Sequence, residues 1–185
     1  DLSSVKGFIL SGGPESSNIE GNPSIHQQIF DTKKPILGIC YGMQVLAHQE
    51  QGRIINEAKR EFGYAKIDIK QDSILFKNLD KSLDVWMSHG DKVESLPGGY
   101  NITAVSNNSP VAAYENIAKK YFGLQFHPEV THTESGTTII KNFLEICDIE
   151  QNWSADDILQ QINALVKTEV KDGEVLLALS GGVDS

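Results

Sequence analysis

Five residues, Gly38-Ile39-Cys40-Tyr41-Gly42, have types and spacing that could do chemistry. They lie between an apolar run, 35–39, and a helical pattern, 42–51. A nucleophile with glycine two residues away on each side, at a strand-to-helix junction, is the pattern of a nucleophile elbow, here with Cys in place of Ser. The turn is so sharp that the residues two before and two after the nucleophile approach closely, so both positions call for glycine. Such a turn lifts the sulfur over the end of a sheet. The following helix points its positive N-terminus at the sulfur, which favours the thiolate. The N–H of Tyr41 then points to where an oxyanion would form. The chemistry implied is thiol attack on a carbonyl carbon. Cys147 lies in the middle of an apolar helical stripe and reads as a buried structural thiol.

A thiol nucleophile needs a base, most often a histidine oriented by a carboxylate. The histidines are His26, His48, His89, His127 and His132. His26 and His48 fall in predicted helices beside polar neighbours and are expected to face solvent. Two others each precede an acid by two residues at the end of a strand-like run: His127-Pro128-Glu129 and His89-Gly90-Asp91. Residues two apart in extended chain point to the same side. Either acid could therefore reach its imidazole and fix the tautomer. Pro128 pushes His127 toward an extended backbone, which gives that pair an edge. Spacing alone leaves both open.

The elements that must position these residues alternate along the chain. Residues 5–10 form a short apolar run ending in Ser11-Gly12-Gly13-Pro14, a strand and tight turn. Helical spacing appears over 23–30, a buried strand over 35–39, and a helix over 42–51. Strand patterns follow at 64–69, 83–87, 102–105, 111–114 and 121–126, and a helix over 137–147. The predicted fold class is α/β: a mixed, mostly parallel open sheet flanked by helices, with some antiparallel strands added. A polar break at Gln151-Asn152 places a domain boundary near Glu150, dividing the chain into 1–150 and 151–185. Beyond it, Ser154 can cap a helix carrying Ile158, Leu159, Ile162, Leu165 and Val166. A strand over 175–179 and a glycine turn over 180–185 are expected to open a second α/β domain.

Composition narrows the function classes. The 185 residues are 39% hydrophobic, enough for one packed core and the start of another domain. Sixteen basic residues against 25 acidic leave a net charge of -9, a poor match for nucleic acid. No polybasic patch and no run of roughly 18 apolar residues suggests a membrane. Two cysteines in apolar surroundings suit free thiols in a reducing compartment, so the cytosol is expected. No Cys/His cluster has zinc spacing, so no metal is expected at Cys40.

Taken together, Gly38-Ile39-Cys40-Tyr41-Gly42-Met43-Gln44 and Gln125-Phe126-His127-Pro128-Glu129-Val130 resemble the class I (triad-type) glutamine amidotransferase family. That resemblance implies Cys40 as nucleophile, His127 as base and Glu129 as its orienter, which decides between the two histidine pairs. Ser11-Gly12-Gly13-Pro14 matches the family's oxyanion turn and implies Gly13 as a second N–H donor beside Tyr41. Arg60-Glu61-Phe62-Gly63-Tyr64, Met87-Ser88-His89-Gly90-Asp91 and Val130-Thr131-His132-Thr133 are similar to members that supply ammonia for the amination of XMP to GMP. By this resemblance Gln44, Ser88, His89 and Asp91 hold the substrate glutamine, and hydrolysis needs no cofactor. The family pattern begins with a strand and a helix ahead of residue 5 that are not found in this sequence. A homodimer is the expected assembly.

The terminal Ser180-Gly181-Gly182-Val183-Asp184-Ser185 is not a Walker A loop, because no Gly-Lys-Ser/Thr is present. Glycines after a strand can still form a nest of N–H groups that grips phosphate. As a whole the segment resembles the pyrophosphate-binding loop of N-type ATP pyrophosphatases. It implies that these six residues hold ATP, with Mg2+ and XMP in a second domain. A thiol-triad amidotransferase followed by this loop is an order in which the two resemblances support each other.

Overall fold

A computed structural model of the chain describes residues 2–17, 19, 21–150, 154–176 and 178, with the backbone alone at 57–59. It separates into two compact units, Asp1–Ile149 and Glu150–Ser185. The first unit begins with β1 (Phe8–Leu10), α1 (Gln27–Asp31), β2 (Ile36–Ile39) and α2 (Tyr41–Gln49). A long pair follows, β3 (Arg53–Ile69) and β4 (Ser82–Ser95). Then come β5 (Asn101–Ser106), β6 (Ala113–Asn116), β7 (Tyr121–Leu124) and α3 (Gly136–Ile146). The strands form one seven-stranded sheet in the order β1-β2-β7-β6-β5-β3-β4.

The sheet is mixed, as expected, but its balance differs from expectation. Parallel pairing joins β1 to β2 and β2 to β7; the other four pairings are antiparallel. The reason lies in the connections. Residues 70–81, 107–112 and 117–120 return without a helix, and a chain that turns straight back pairs antiparallel.

Strands β2, β6 and β7 are buried at every residue. Successive side chains of β2 serve opposite faces. Ile36 packs with Tyr41, Met43 and Leu46 of α2, whereas Leu37 and Ile39 pack with Phe122, Ile139 and Phe143. Helices α2 and α3 therefore cover the two faces of the same central strands. Cys147 is a buried free thiol in the second of these clusters, as its apolar setting implied.

Two boundaries depart from the sequence pattern. Helix α1 starts at Gln27 rather than at Pro23, with His26 Nδ1 accepting from the Gln28 N–H at 3.3 Å. Residues 23–25 belong to no helix or strand, and side chains of α2 hold their backbone instead. The Pro23 carbonyl accepts from the Tyr41 hydroxyl at 2.6 Å, and Ile25 exchanges two backbone bonds with the Gln49 carboxamide at 2.7 and 3.0 Å. Strands β3 and β4 run far past their apolar segments, because their ladder is held by mutual backbone pairing and not by side-chain hydrophobicity. Within it, Asn56 opposes Asp91 and Glu61 opposes His89, so residues 57–60 bulge across from Gly90.

In the second unit, α4 (Ala155–Val170) starts where Ser154 predicts, with a reciprocal capping box between Ser154 and Asp157. The strand expected over 175–179 is not found among the described residues there: Val175 and Leu176 are exposed and unpaired in any sheet. A strand needs a neighbour to satisfy its backbone. The turn 180–185 lies outside the described residues. No described helix is long and apolar enough to cross a membrane.

One packing constraint is testable. The fully buried Tyr114 ring crosses Gly123, and its hydroxyl donates to the Met43 carbonyl at 2.8 Å. A methyl group on Gly123 would lie 2.4 Å from Tyr114 Cζ and 2.8 Å from Met43 Cγ. Overpacking of this kind costs about 1–3 kcal/mol. Gly123→Ala should lower the urea midpoint by a corresponding amount with an unchanged slope. An unchanged midpoint would mean that the Tyr114 ring has room to move.

Candidate active site

Cys40 stands at the end of β2 with φ 52° and ψ -108°, a conformation that side-chain-bearing residues seldom adopt. Three backbone bonds hold it there. Its N–H donates to Leu124 O at 2.7 Å, Gly42 N–H to Ser11 O at 3.1 Å, and Gln44 N–H to Cys40 O at 3.2 Å. The flanking glycines have separate reasons. A methyl on Gly38 would lie 2.6 Å from the Gly42 backbone, which is the elbow closing on itself. A methyl on Gly42 would lie 2.2 Å from Leu10 O, so the second glycine is imposed by β1.

The thiol of Cys40 sits in a largely desolvated setting. Burial pushes it up to about 11; the Tyr41 N–H bonded to the sulfur opposes this, and the Glu129 carboxylate adds to it. The thiol in turn donates to Ser88 O at 3.5 Å. The Tyr41 N–H at the start of α2 favours the thiolate, as the sequence implies, but loss of water raises the thiol by more.

His127 is placed by the outer edge of β4. Its N–H donates to Trp86 O at 3.0 Å, and its carbonyl accepts from Thr133 Oγ1 at 2.5 Å. Thr133 Oγ1 also accepts from the Trp86 N–H at 3.1 Å, so one hydroxyl ties the histidine's backbone to the strand. His127 Nδ1 donates to Glu129 Oε1 at 2.6 Å. Nε2 is buried and has no partner among the described residues. A methyl on Gly12 would lie 3.1 Å from His127 Cε1 and 3.6 Å from Cys40 Cβ, so base and nucleophile flank the bare Gly12.

The competing pair is differently employed. The His89 ring meets the Asp91 backbone carbonyl at 3.0 Å through Nδ1, not the Asp91 carboxylate, and Glu61 at 3.1 Å through Nε2. Neither nitrogen is left for Cys40. His26 and His48 are exposed, and His132 stacks on Trp86 at 4.7 Å.

A cavity of about 550 Å³ opens over Cys40 and is lined by Gly13, Gln44, Ser88, Asp91 and His127, with His89 at its wall. Tyr41 contributes through its backbone at the sulfur. Glu129 stands behind His127. Asp91 is held by both carboxylate oxygens, by Asn56 Nδ2 at 2.6 Å and by Ser16 Oγ. Asn56, Ser16 and the Glu61 contact carried no warning in spacing or periodicity. They reach the site through the β3–β4 register and through the loop after Gly13, both tertiary events. No group of three or more His, Cys, Asp or Glu suited to a metal is found among the described residues.

Comparison with known proteins places the chain in a family. The family profile for glutamine amidotransferase class-I matches residues 1–147. The GMP synthase (glutamine-hydrolysing) of Vibrio vulnificus strain CMCP6 is 48% identical over 180 residues, covering 97% of this chain and 35% of that protein. The enzyme of the same name from Aliivibrio fischeri is also 48% identical, with the same coverage. The chain thus spans about a third of the length of these relatives. Among solved structures, a GMP synthase component from Thermoplasma acidophilum superposes with a TM-score of 0.68 at 26% identity, over 88% of this chain and 78% of that one. A glutamine amidotransferase of Thermotoga maritima shares the fold, with a TM-score of 0.58 at 21% identity over 89% of this chain and 70% of that one. With an elbow cysteine facing a histidine–glutamate pair, and a family match spanning its larger unit, the chain belongs to the class-I glutamine amidotransferases.

Proposed function

We propose that Cys40, His127 and Glu129 form a triad that hydrolyses glutamine, and that the ammonia released is used in a second domain for the ATP-dependent amination of XMP to GMP. The observation that carries the first half is His127. Its Nδ1 is bound to Glu129 at 2.6 Å, while its Nε2 is buried, unpartnered and beside Cys40 across Gly12. The names of the relatives support the second half.

The Cys40 proton passes to His127 Nε2 as the sulfur attacks the side-chain carboxamide carbon of glutamine. Burial pushes the thiol up to about 11, so it relies on His127 to take its proton. The N–H groups of Tyr41 and Gly13 take the oxyanion, a contribution of about 3–4 kcal/mol to the lowered barrier. His127 returns the proton to the leaving nitrogen, which departs as ammonia and leaves a glutamyl thioester. Water, deprotonated by His127, then releases glutamate and restores the thiol. Gln44, Ser88 and Asp91 bind the substrate along the cavity wall. In the second domain ATP would activate a carbonyl oxygen of XMP as its adenylate with loss of pyrophosphate, Mg2+ would offset the phosphate charge, and ammonia would displace AMP to give GMP. Segment 180–185 is the proposed pyrophosphate loop. Reduced thiols and the lack of a described spanning helix suit a cytosolic enzyme.

Cys40→Ala in the full-length protein should abolish GMP formation from glutamine and leave formation from ammonium intact. Loss of both in a folded variant would overturn the division of labour. His127→Ala should lower the glutaminase kcat by about a hundred- to ten-thousand-fold, the range for a general base. Glu129→Ala should lose less, since its carboxylate is half-exposed and acts only through the imidazole; an equal loss would assign Glu129 a direct role. Alkylation of Cys40 by iodoacetamide, corrected with Cys40→Ala for Cys147, should rise with pH between 9 and 11. A rate already flat below neutral pH would mean a resting thiolate–imidazolium pair.

A further inference from the structure

We propose that Gln125 is a positioning residue that holds the Gln44 carboxamide with its carbonyl oxygen toward the cavity, so that Gln44 meets glutamine only as a hydrogen-bond acceptor. This rests on the glutaminase reading above.

The network has one chemically unambiguous anchor, the backbone carbonyl of Asp91, which can only accept. The Gln44 atom 2.8 Å from it is therefore Nε2. That same nitrogen lies 3.3 Å from one end of the Gln125 carboxamide, which must then be Oε1. A primary amide nitrogen has two hydrogens, and both are now engaged. Gln44 Oε1 has no donor among the described residues, and Gln44 lines the cavity. What Gln44 presents to a ligand is thus a fixed acceptor beside the Asp91 carboxylate. It suits the N–H groups of glutamine, either the α-ammonium or the carboxamide.

Gln125 itself is 0% exposed, and its Nε2 is buried with no partner. An orphaned buried donor is unfavourable, and a methionine of similar length would avoid it. Its carboxamide is therefore explained by its acceptor oxygen, which stops Gln44 from flipping.

The test is steady-state glutaminase kinetics on the full-length enzyme carrying Gln125→Met, Gln44→Met or both. Gln125→Met should raise the KM for glutamine about five- to tenfold, the scale of one lost hydrogen bond to a charged or polar partner, with little change in kcat. The double variant should be no worse than Gln44→Met, since Gln125 acts only through Gln44. Gln125→Glu, which when protonated keeps a carbonyl acceptor, should restore most of the KM and covers the case in which Gln125→Met does not fold. Multiplicative losses in the double variant, or a fall in kcat at constant KM, overturn the proposal. An unaltered KM in Gln44→Met with activity intact overturns it too, and leaves the glutaminase reading standing; absent activity in the unmodified enzyme overturns that reading instead. Inhibition by glutamate, which keeps the ammonium and lacks the carboxamide, assigns the N–H. If it weakens in parallel with glutamine binding, the ammonium is held; if glutamine alone is affected, the carboxamide is.

Discussion

Everything at this site depends on a backbone conformation that a cysteine resists. Cys40 is held at φ 52° between β2 and α2, and two neighbouring strands keep it there. The bond to Leu124 belongs to β7, the bond to Ser11 to the end of β1, and the close approach at Gly42 again to β1. The parallel strands β1-β2-β7 are thus the clamp on the nucleophile. Strain of this kind persists only where the surroundings over-determine it.

The base is held by the other half of the sheet. β4 is an edge strand, and its free backbone groups at Trp86 and Asp84 are satisfied by the segment around His127, Thr133 and Glu134. This covers an edge that would otherwise invite pairing with another chain. It also ties His127, three residues past β7, to the far edge of the sheet, while β7 itself holds Cys40 through Leu124. Gly12 lets them close the last gap.

Polarity in the cavity is arranged by removing choices. Burial pushes the Cys40 thiol up to about 11, and the Tyr41 N–H opposes this at the sulfur. Both nitrogens of His89, both oxygens of Asp91 and the nitrogen of Gln44 are already bound to protein groups. Fixed dipoles need no reorganisation when the substrate arrives.

The sequence alone determined those features that rest on local backbone geometry. Glycine at 38 and 42 around Cys40, Pro128 between His127 and Glu129, and Ser154 ahead of α4 each impose a conformation on their neighbours, so elbow, acid–base pair and helix start were legible. Spacing could not choose between His127 and His89, since both pairs are two residues apart. Only the tertiary structure separated them, by giving both nitrogens of His89 to Glu61 and the Asp91 carbonyl. Nor could it show the length of β3 and β4, whose stability comes from ladder partners far along the chain, or the carboxylate clamp of Asn56 and Ser16 on Asp91. The extent to which burial raises the Cys40 thiol was not legible either: a helix N-terminus is a local feature, whereas burial is a sum over the whole fold.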